Sequence, residues 1–373
     1  ARLLEHLGAF CGRLSRALAD FDHPAARRYL KWDPAQAAWT AAHWNMNAPA
    51  DTSDEKQTLA RYFFQLFDER AVPRFPYLRQ SVTYNDANDY NILVGSKPAE
   101  PHIPAVIDFG DAVWSYTVND LAIAAVYATL HHADPLTAMA HIVRGYHRVF
   151  ALTEEEVAAL FPLIGARLLI SVTCSALNLR EHPENTYLQV SDQPAWALLE
   201  KLRPIHPDLA ESVFRDACGL IPCRTRPAFD RWLQEEGRSA QKPIVSADLH
   251  TAFAWLDLSV GSTQLGVFEN VLDVAAFTRC VDNALREAQK PFGVGRYNEV
   301  RPIYTTDAYL TSGNDGPQWR TVHIGLDLFM PDEIPLMAPL DGRVHSFRNN
   351  ANDRDYGPTI ILEHRPASDL VFY

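Results

Sequence analysis

TYNDANDYNILV occupies residues 83–94 of the sequence, and VIDFGD follows at residues 106–111. Both stretches combine apolar strand formers with Asp and Asn, which favour turns. They predict two short strands, 90–94 and 103–109, joined by the Pro-containing connection 95–104 as a hairpin. Most of the other residues up to about 220 repeat their apolar positions at three and four, which predicts helices around this hairpin.

The hairpin region carries three side chains suited to phosphoryl transfer from ATP. Such a transfer needs an oxygen base for the acceptor hydroxyl and phosphates whose charge a metal neutralises. Asp86 and Asn91 are five positions apart, so one can face the hydroxyl while the other faces a metal, and Asp108 can complete the metal site. Oxygen ligands of this kind suit Mg²⁺. Alternatively, the same Asp and Asn residues are only turn formers between two strands.

Taken together, the two motifs resemble the aminoglycoside phosphotransferase-like kinase superfamily, and most closely its hydroxylysine kinase branch. The resemblance covers about residues 1–220. It implies that Asp86 is the catalytic base, that Asn91 and Asp108 bind Mg²⁺ and ATP, and that Asp111 lies close to them. Tyr84 stands where the family usually has a His that braces the loop, and its hydroxyl offers a similar hydrogen bond.

A kinase of this type also needs a Gly-rich loop and a strand-borne Lys on the nucleotide phosphates. Before residue 86 the only lysines are Lys31 and Lys56, and no Gly-rich turn precedes either one. We therefore expect the lobe that covers the nucleotide to be missing. The chain, which begins without Met inside an amphipathic pattern, is expected to be an inactive fragment of a longer enzyme.

A second motif, HIGLD, lies at residues 323–327 and is followed by APLDGRV at residues 338–344. In a strand, residues i and i+4 point to one face, so His323 and Asp327 can converge on one ion. Residues 293–373 resemble lysostaphin-like zinc endopeptidases, which implies that His323 and Asp327 are Zn²⁺ ligands. Such a site needs a third protein ligand, usually from a later His-x-His, and no such motif follows Asp327. We expect an incomplete site, with His364 more suited to a structural role than to binding zinc.

The predicted fold class is α+β multidomain. A mostly helical kinase C-terminal lobe with a short β-hairpin is expected over residues 1–222, a linker and connecting segment over 223–292, and a small all-β peptidase-like domain over 293–373. Proteins that resemble this pairing often continue into a class III aminotransferase that uses pyridoxal phosphate. That third part and its cofactor are implied by the resemblance alone.

Composition limits the partners. The formal net charge is −12 and Lys and Arg are not clustered, which argues against nucleic acid. The sequence contains no uninterrupted run of about 18 apolar residues, so it does not predict a membrane span. The five cysteines are scattered, as in a protein of a reducing compartment, and a cytoplasmic location is expected. The expected partners are a nucleotide and a small hydroxyl acceptor, with homo-oligomers formed through domains outside this sequence.

The sequence therefore predicts an ATP-dependent phosphotransferase that acts on the hydroxyl of a small amino-alcohol or hydroxy-amino acid. Two alternatives stay open. One is a zinc metallopeptidase acting on peptidoglycan or peptides, with the kinase-like part as a targeting module. The other is a non-catalytic binding scaffold.

Overall fold

The chain folds into two units, Ala1–Cys223 and Arg224–Tyr373. The computed structural model describes residues 1–44, 54–95, 102–181, 192–245, 252–331, 334–352 and 354–373. Most of the predicted hairpin connection, residues 96–101, lies outside the described residues.

Helices form most of the first unit, as the apolar spacing predicts. They are α1 (Arg2–Leu18), α2 (Glu55–Leu66), α3 (Asn119–Thr129), α4 (Pro135–Val149), α5 (Glu154–Glu181), α6 (Asp192–Leu202) and α7 (Pro207–Ala217). Shorter 3-10 or π turns cover Pro24–Ala26, Pro34–Ala42, Phe67–Ala71 and Val72–Tyr77. The strands are β1 (Gln80–Thr83), β2 (Ile92–Leu93), β3 (Ala105–Val106) and β4 (Val113–Tyr116).

Helix α5 is the centre of the first unit. Its start is fixed by a reciprocal pair of hydrogen bonds: Thr153 Oγ1 accepts from the Glu156 backbone N–H at 3.2 Å, and the Glu156 carboxylate accepts from the Thr153 N–H at 2.9 Å. In the sequence, Thr153 followed by three glutamates predicts a helix start at this point, and the structure confirms it. Among the described residues, α5 is the one helix long and apolar enough to cross a membrane by length and composition. Because 94% of its most apolar window is buried inside the protein, it has the character of a core helix.

Helices α1 and α4 cross at very short range through two glycines. A Cβ added at Gly8 would lie 1.9 Å from the carbonyl oxygen of Ile142, and one at Gly145 would lie 2.0 Å from that of Glu5. Only residues without a side chain allow the two backbones to approach so closely.

The strands of the first unit form two separate antiparallel pairs. β1 pairs with β4, with Thr83 opposite Val113, and β2 pairs with β3, with Ile92 opposite Val106. The β2–β3 hairpin is shorter than predicted. Its polar ends leave the strand conformation, since Asn91 belongs to a turn and Asp108 has a φ of 60°.

The second unit contains both helices and strands. The helices are α8 (Arg226–Trp232), α9 (Arg238–Ala240), α10 (Phe268–Leu272) and α11 (Val274–Ala288), with a π turn at Leu233–Gly237 and 3-10 turns at Pro302–Thr305 and Asp307–Tyr309. The strands are β5 (Phe253–Leu256), β6 (Phe292–Gly295), β7 (Glu299–Val300), β8 (Leu310–Gly313), β9 (Gly316–Trp319), β10 (Val322–His323), β11 (Asp327–Phe329), β12 (Arg343–Asn350), β13 (Gly357–Ala367) and β14 (Leu370–Phe372).

The structure differs from the predicted division of residues 223–373. Strand β5 lies in the segment that was expected to be a connection. It pairs parallel with β6, and β6 in turn pairs antiparallel with β11. Leu256 and Leu258 share a small core with Val281 and Ala284 of α11. In the segment expected to be a linker, α8 places Phe229 5.0 Å from the ring of Phe372 in β14. The apolar residues of 223–292 are therefore used to build one α+β unit with the strands that follow.

Candidate active site

The loop between β1 and β2 folds around the carboxylate of Asp86. Asn91 donates from Nδ2 to Asp86 Oδ2 at 2.6 Å, and Asn88 donates from Nδ2 to Asp86 Oδ1 at 2.9 Å. The side-chain oxygen of Asn88 in turn accepts from the backbone N–H of Asn91 at 3.1 Å. These local bonds give Asp86 a fixed orientation and bring two of the three predicted kinase residues into direct contact.

Asp108 lies at the same end of the hairpin as Asn91. Asn91 directly precedes β2, and its carbonyl oxygen accepts from the N–H of Ile107 at 3.0 Å. Asp108 is the next residue along the chain. Its carboxylate accepts from the Gly110 N–H at 2.9 Å, and this turn accompanies its left-handed backbone. The hairpin thus gathers the predicted base and both predicted metal ligands at one end.

These residues fit a Mg²⁺ ion by the chemistry of their donor atoms. Asn91 offers an amide oxygen and Asp108 a carboxylate, and Mg²⁺ binds through one or two such ligands together with water and substrate phosphates. Within the described part of the chain, no three His, Cys, Asp or Glu side chains are grouped to hold a metal. The pair of Asn91 and Asp108 is not such a group, because Asp108 is its only member of these four residue types.

Tyr84 connects the loop to the second strand of the hairpin. Its buried side chain donates from the hydroxyl to the carbonyl oxygen of Ile107 at 2.5 Å, and its ring lies edge-on to Phe109 with 5.1 Å between centroids. Burial raises the pKa of the Tyr84 hydroxyl, and the nearby charges of Asp86 and Asp108 raise it further. The phenol therefore stays protonated and acts as a hydrogen-bond donor.

Asp120 is a site residue that the sequence reasoning missed. It is almost completely buried at the start of α3, and its two carboxylate oxygens accept from the backbone N–H groups of Tyr84 at 3.1 Å and Asn85 at 2.7 Å. Burial raises the pKa of Asp120 to about 6, while these two hydrogen bonds lower it. The only sequence signal for Asp120 was a carboxylate beside the apolar run of α3. Its hydrogen-bond partners could not be predicted, because they lie 35 and 36 positions away in the sequence.

Asn85 shows why the loop needs this support. Its φ is 64°, a left-handed conformation, and it is fully buried. Neither polar atom of its side chain has a hydrogen-bond partner among the described residues. Both features cost free energy, and such strain persists where surrounding contacts enforce it. Asp120 is the contact that holds the backbone in place directly before Asp86.

The electrostatic surroundings of Asp86 are mixed. Burial raises the pKa of its carboxyl group, the positive charge of Arg167 lowers it, and Asp111 raises it again. Asp111 is thus within electrostatic range of Asp86. A carboxylate whose pKa is above its usual value is a stronger acceptor for a proton than an exposed one.

The second motif is also assembled in part. His323 Nε2 lies 3.5 Å from Asp327 Oδ1, so the two predicted zinc ligands are neighbours. However, the other oxygen of Asp327 accepts a short hydrogen bond from Arg301, and Arg301 Nε donates to Glu299 at 2.9 Å. A guanidinium group therefore supplies positive charge where a metal was expected.

His364 is buried, with its Nδ1 3.0 Å from the carbonyl oxygen of Asp341. It braces the chain between β13 and the turn that precedes β12, in agreement with the structural role expected from the sequence. Its ring nitrogen thus contacts a backbone atom rather than His323 or Asp327.

Comparison with known proteins finds similarity in the part of the chain that contains the kinase-like motifs. Residues 1–160 match the model of the phosphotransferase enzyme family. Hydroxylysine kinase from Mus musculus is 27% identical over 213 residues, covering 53% of this chain and 54% of the mouse protein. Hydroxylysine kinase from Xenopus laevis is 26% identical over 223 residues, covering 57% of this chain and 59% of the frog protein. The chain thus spans little more than half the length of these relatives.

Among solved structures, a microcompartment-associated aminopropanol kinase matches with a TM-score of 0.39 and 18% sequence identity, over 58% of this chain and 63% of that one. The family match covers the part of the chain that carries Asp86, Asn91 and Asp108. This part of the chain is therefore similar to the phosphotransferase enzyme family, and the chain is similar over about half its length to hydroxylysine kinases.

Proposed function

We propose that the whole protein transfers the γ-phosphoryl group of ATP to the hydroxyl of a small hydroxy-amino acid or amino-alcohol. The observation that carries this proposal is the 2.6 Å bond between Asn91 and Asp86, formed at the hairpin end where Asp108 also lies. Base and metal ligands must stand together for phosphoryl transfer, because catalysis depends on positioning and charge neutralisation. The hydroxylysine kinase relatives support an acceptor of this size and chemistry.

In this mechanism the Asp86 carboxylate accepts the proton of the acceptor hydroxyl as its oxygen bonds to the γ-phosphorus. The bond from that phosphorus to the β–γ bridging oxygen breaks, and ADP leaves with the electron pair. The Asn91 amide holds the Asp86 carboxylate in orientation throughout. Mg²⁺, which Asn91 and Asp108 would hold, supplies positive charge to the phosphates.

The test is an Asp86→Asn substitution in the parent protein. The amide cannot accept the proton, so we expect kcat to fall by roughly 100-fold or more while ATP affinity stays within a few-fold of wild type. Asp89→Asn is the matched control, since Asp89 belongs to the same loop but is exposed. A variant with unchanged kcat and weakened ATP binding would contradict the role of Asp86 as base.

We propose second that residues 293–373 are a peptidase-like segment with an incomplete metal site. The 3.5 Å contact between His323 and Asp327 supports this, since the two sequence-predicted ligands meet. The bond from Arg301 to Asp327 favours a site that holds Zn²⁺ weakly, and peptide hydrolysis is therefore the less favoured function.

A cytoplasmic location, homo-oligomers and a pyridoxal-phosphate-dependent aminotransferase elsewhere in the protein also remain proposals. They rest on composition and on the family resemblance. The full-length sequence and a size measurement of the purified parent protein test them.

A further inference from the structure

Arg167 is a buried cation near the candidate base. It lies on α5 with 3% of its surface exposed. Its guanidinium donates from Nη1 to the backbone carbonyl of Trp32 at 2.6 Å and from Nη2 to the hydroxyl of Tyr127 at 2.9 Å. Both acceptors are neutral oxygens, so these bonds fix the group in place without balancing its charge.

No carboxylate lies within ion-pair distance of Arg167 in the described part of the chain, and its Nε is buried without a hydrogen-bond partner. Arg215 provides a contrast. It is similarly buried, at 5% exposure, but its Nη1 pairs with Glu154 at 2.9 Å. The carboxylates of Asp33 and Asp86 are within electrostatic range of Arg167 but form no ion pair with it, so the guanidinium keeps an unused hydrogen-bond donor for a further anion.

The position of Arg167 connects it to Asp86. Its charge is close enough to lower the pKa values of the Asp86 and Asp33 carboxyl groups. Lys31 adds a second cation: its Nζ lies 5.5 Å from the centroid of the Trp32 ring, and the Cζ of Arg167 lies 5.6 Å from the same centroid. Lys31 is exposed and forms no ion pair within the described ranges.

The surroundings of Arg167 are partly exposed, although its own side chain is buried. Trp32 and Tyr127, the two hydrogen-bond partners of Arg167, are each only partly buried, and Lys31 next to Trp32 is exposed. Arg167 and Lys31 thus place two positive charges around the partly exposed ring of Trp32.

We infer that Arg167 binds a carboxylate of the acceptor, with Lys31 adding positive charge, so that the enzyme selects hydroxy-amino acids over amino-alcohols without a carboxylate. The inference rests on the proposed function, because it assumes that the acceptor's hydroxyl meets Asp86. Guanidinium matches a carboxylate in shape and donates charge-assisted hydrogen bonds, here from Nε and the remaining Nη hydrogens. An amino-alcohol would leave Arg167 unpaired and would bring an additional positive charge to it.

The experiment compares two acids, hydroxylysine and threonine, each with the amine formed by removing its carboxylate. Binding is measured by calorimetry and phosphorylation by coupled ADP release, in the wild-type parent protein and in three variants. Arg167→Gln removes the proposed carboxylate ligand, and Lys31→Gln removes an exposed charge without disturbing the core. Arg215→Gln is the matched control, a buried arginine of the same unit that already has a carboxylate partner. Circular dichroism establishes that each variant is folded.

We expect the wild type to bind at least one acid about 10-fold or more tightly than its amine. Arg167→Gln should weaken acid binding by roughly 10- to 100-fold and leave amine binding within about 3-fold. Lys31→Gln should show the same selective loss at smaller size, which keeps the test valid if Arg167→Gln does not fold. Arg215→Gln should change acid and amine affinity equally.

Two results would overturn the inference: wild type that binds no acid more tightly than its amine, or Arg167 and Lys31 variants that weaken both compounds equally. If the acids bind in an Arg167-dependent way but none is phosphorylated, the proposed kinase function fails while carboxylate binding stands. If the amines are phosphorylated as well as the acids, the kinase function stands and the carboxylate role is rejected.

Discussion

The hydroxyl of Tyr84 donates a 2.5 Å hydrogen bond to the backbone carbonyl oxygen of Ile107. Tyr84 belongs to the loop that carries Asp86, and Ile107 directly precedes Asp108 in the sequence. The family resemblance places a histidine at position 84, and the structure shows how a phenol in that position still joins the two motifs.

Removing the Tyr84 hydroxyl should lower the rate of catalysis more than it lowers the stability of the fold. We expect Tyr84→Phe to cost about 1 kcal/mol of unfolding free energy, the net worth of one hydrogen bond, and to lower kcat of the parent protein by roughly 10- to 100-fold through misplacement of Asp108. Chemical denaturation and steady-state kinetics with varied Mg²⁺ measure the two effects. Tyr84→His, which restores a donor, should recover part of the rate, and a Phe variant as fast as wild type would show that the bond is dispensable.

Asp120 predicts a particular dependence of stability on pH. Because burial raises its folded pKa to about 6, above the ordinary value of 3.8, the folded state binds more protons than the unfolded state between those values. Its contribution to stability is therefore complete below about pH 4 and lost as the pH rises through about 6, by at most ~3 kcal/mol.

Asp120→Asn should remove this component. Urea denaturation across about pH 4 to 7 measures the unfolding free energies of wild type and Asp120→Asn. As the pH rises, the unfolding free energy of the wild type should fall relative to that of the variant. The variant should also lose turnover, since its single amide oxygen can accept from only one of the N–H groups of Tyr84 and Asn85, and its NH2 group would face the other. A pH-independent difference would show that Asp120 titrates at its ordinary value.

The crossing of α1 and α4 predicts that its glycines cannot be replaced. In Gly145→Ala the new methyl group would lie 2.0 Å from the carbonyl oxygen of Glu5, and backbone cannot move aside as a side chain can. We expect a loss of about 1–3 kcal/mol or more in unfolding free energy. Gly219→Asn is the control, because Gly219 has a φ of 70° that Asn tolerates and no atom within 4 Å of an added Cβ. Equal losses in both variants would mean that the helices separate easily.

Zinc binding tests the role of Arg301 in the second unit. With Asp327 held by Arg301 and no third ligand grouped with His323 in the described ranges, we expect the chain to bind Zn²⁺ weakly. His323→Ala should then change the affinity by less than about 10-fold. Calorimetric titration of metal-free protein measures this. Tight stoichiometric binding lost in His323→Ala would show that another group completes the site and displaces Arg301.

Local sequence patterns predicted the local features of this protein. Three- and four-residue spacing predicted α1 and α5, and Thr153 before three glutamates predicted the start of α5, because a helix and its cap depend on neighbours within one turn. The closeness of Asp86 and Asn91 followed in the same way from a five-residue spacing in one loop.

Features that depend on distant partners were not predictable in this way. Asp120 bonds a loop 35 positions earlier, and Arg167 contacts Trp32, 135 positions away. The pairing of β5 with β6 likewise joins segments separated by α11, so residues 252–292 gave no local sign of belonging to a sheet. Such contacts are set by tertiary packing, which overrides local propensity.

The Asp86 loop is attached to the buried helix α3, so the loop should stay ordered as long as the core of the first unit stays folded. The amide protons of Tyr84 and Asn85 are bound by a carboxylate on a helix that is buried along nearly its full length. They can exchange with solvent deuterium only when that helix leaves the core, whereas amides of ordinary loops exchange through small local openings. This loop should therefore exchange as slowly as the core helices, and destabilising a distant core position should speed its exchange by the same factor.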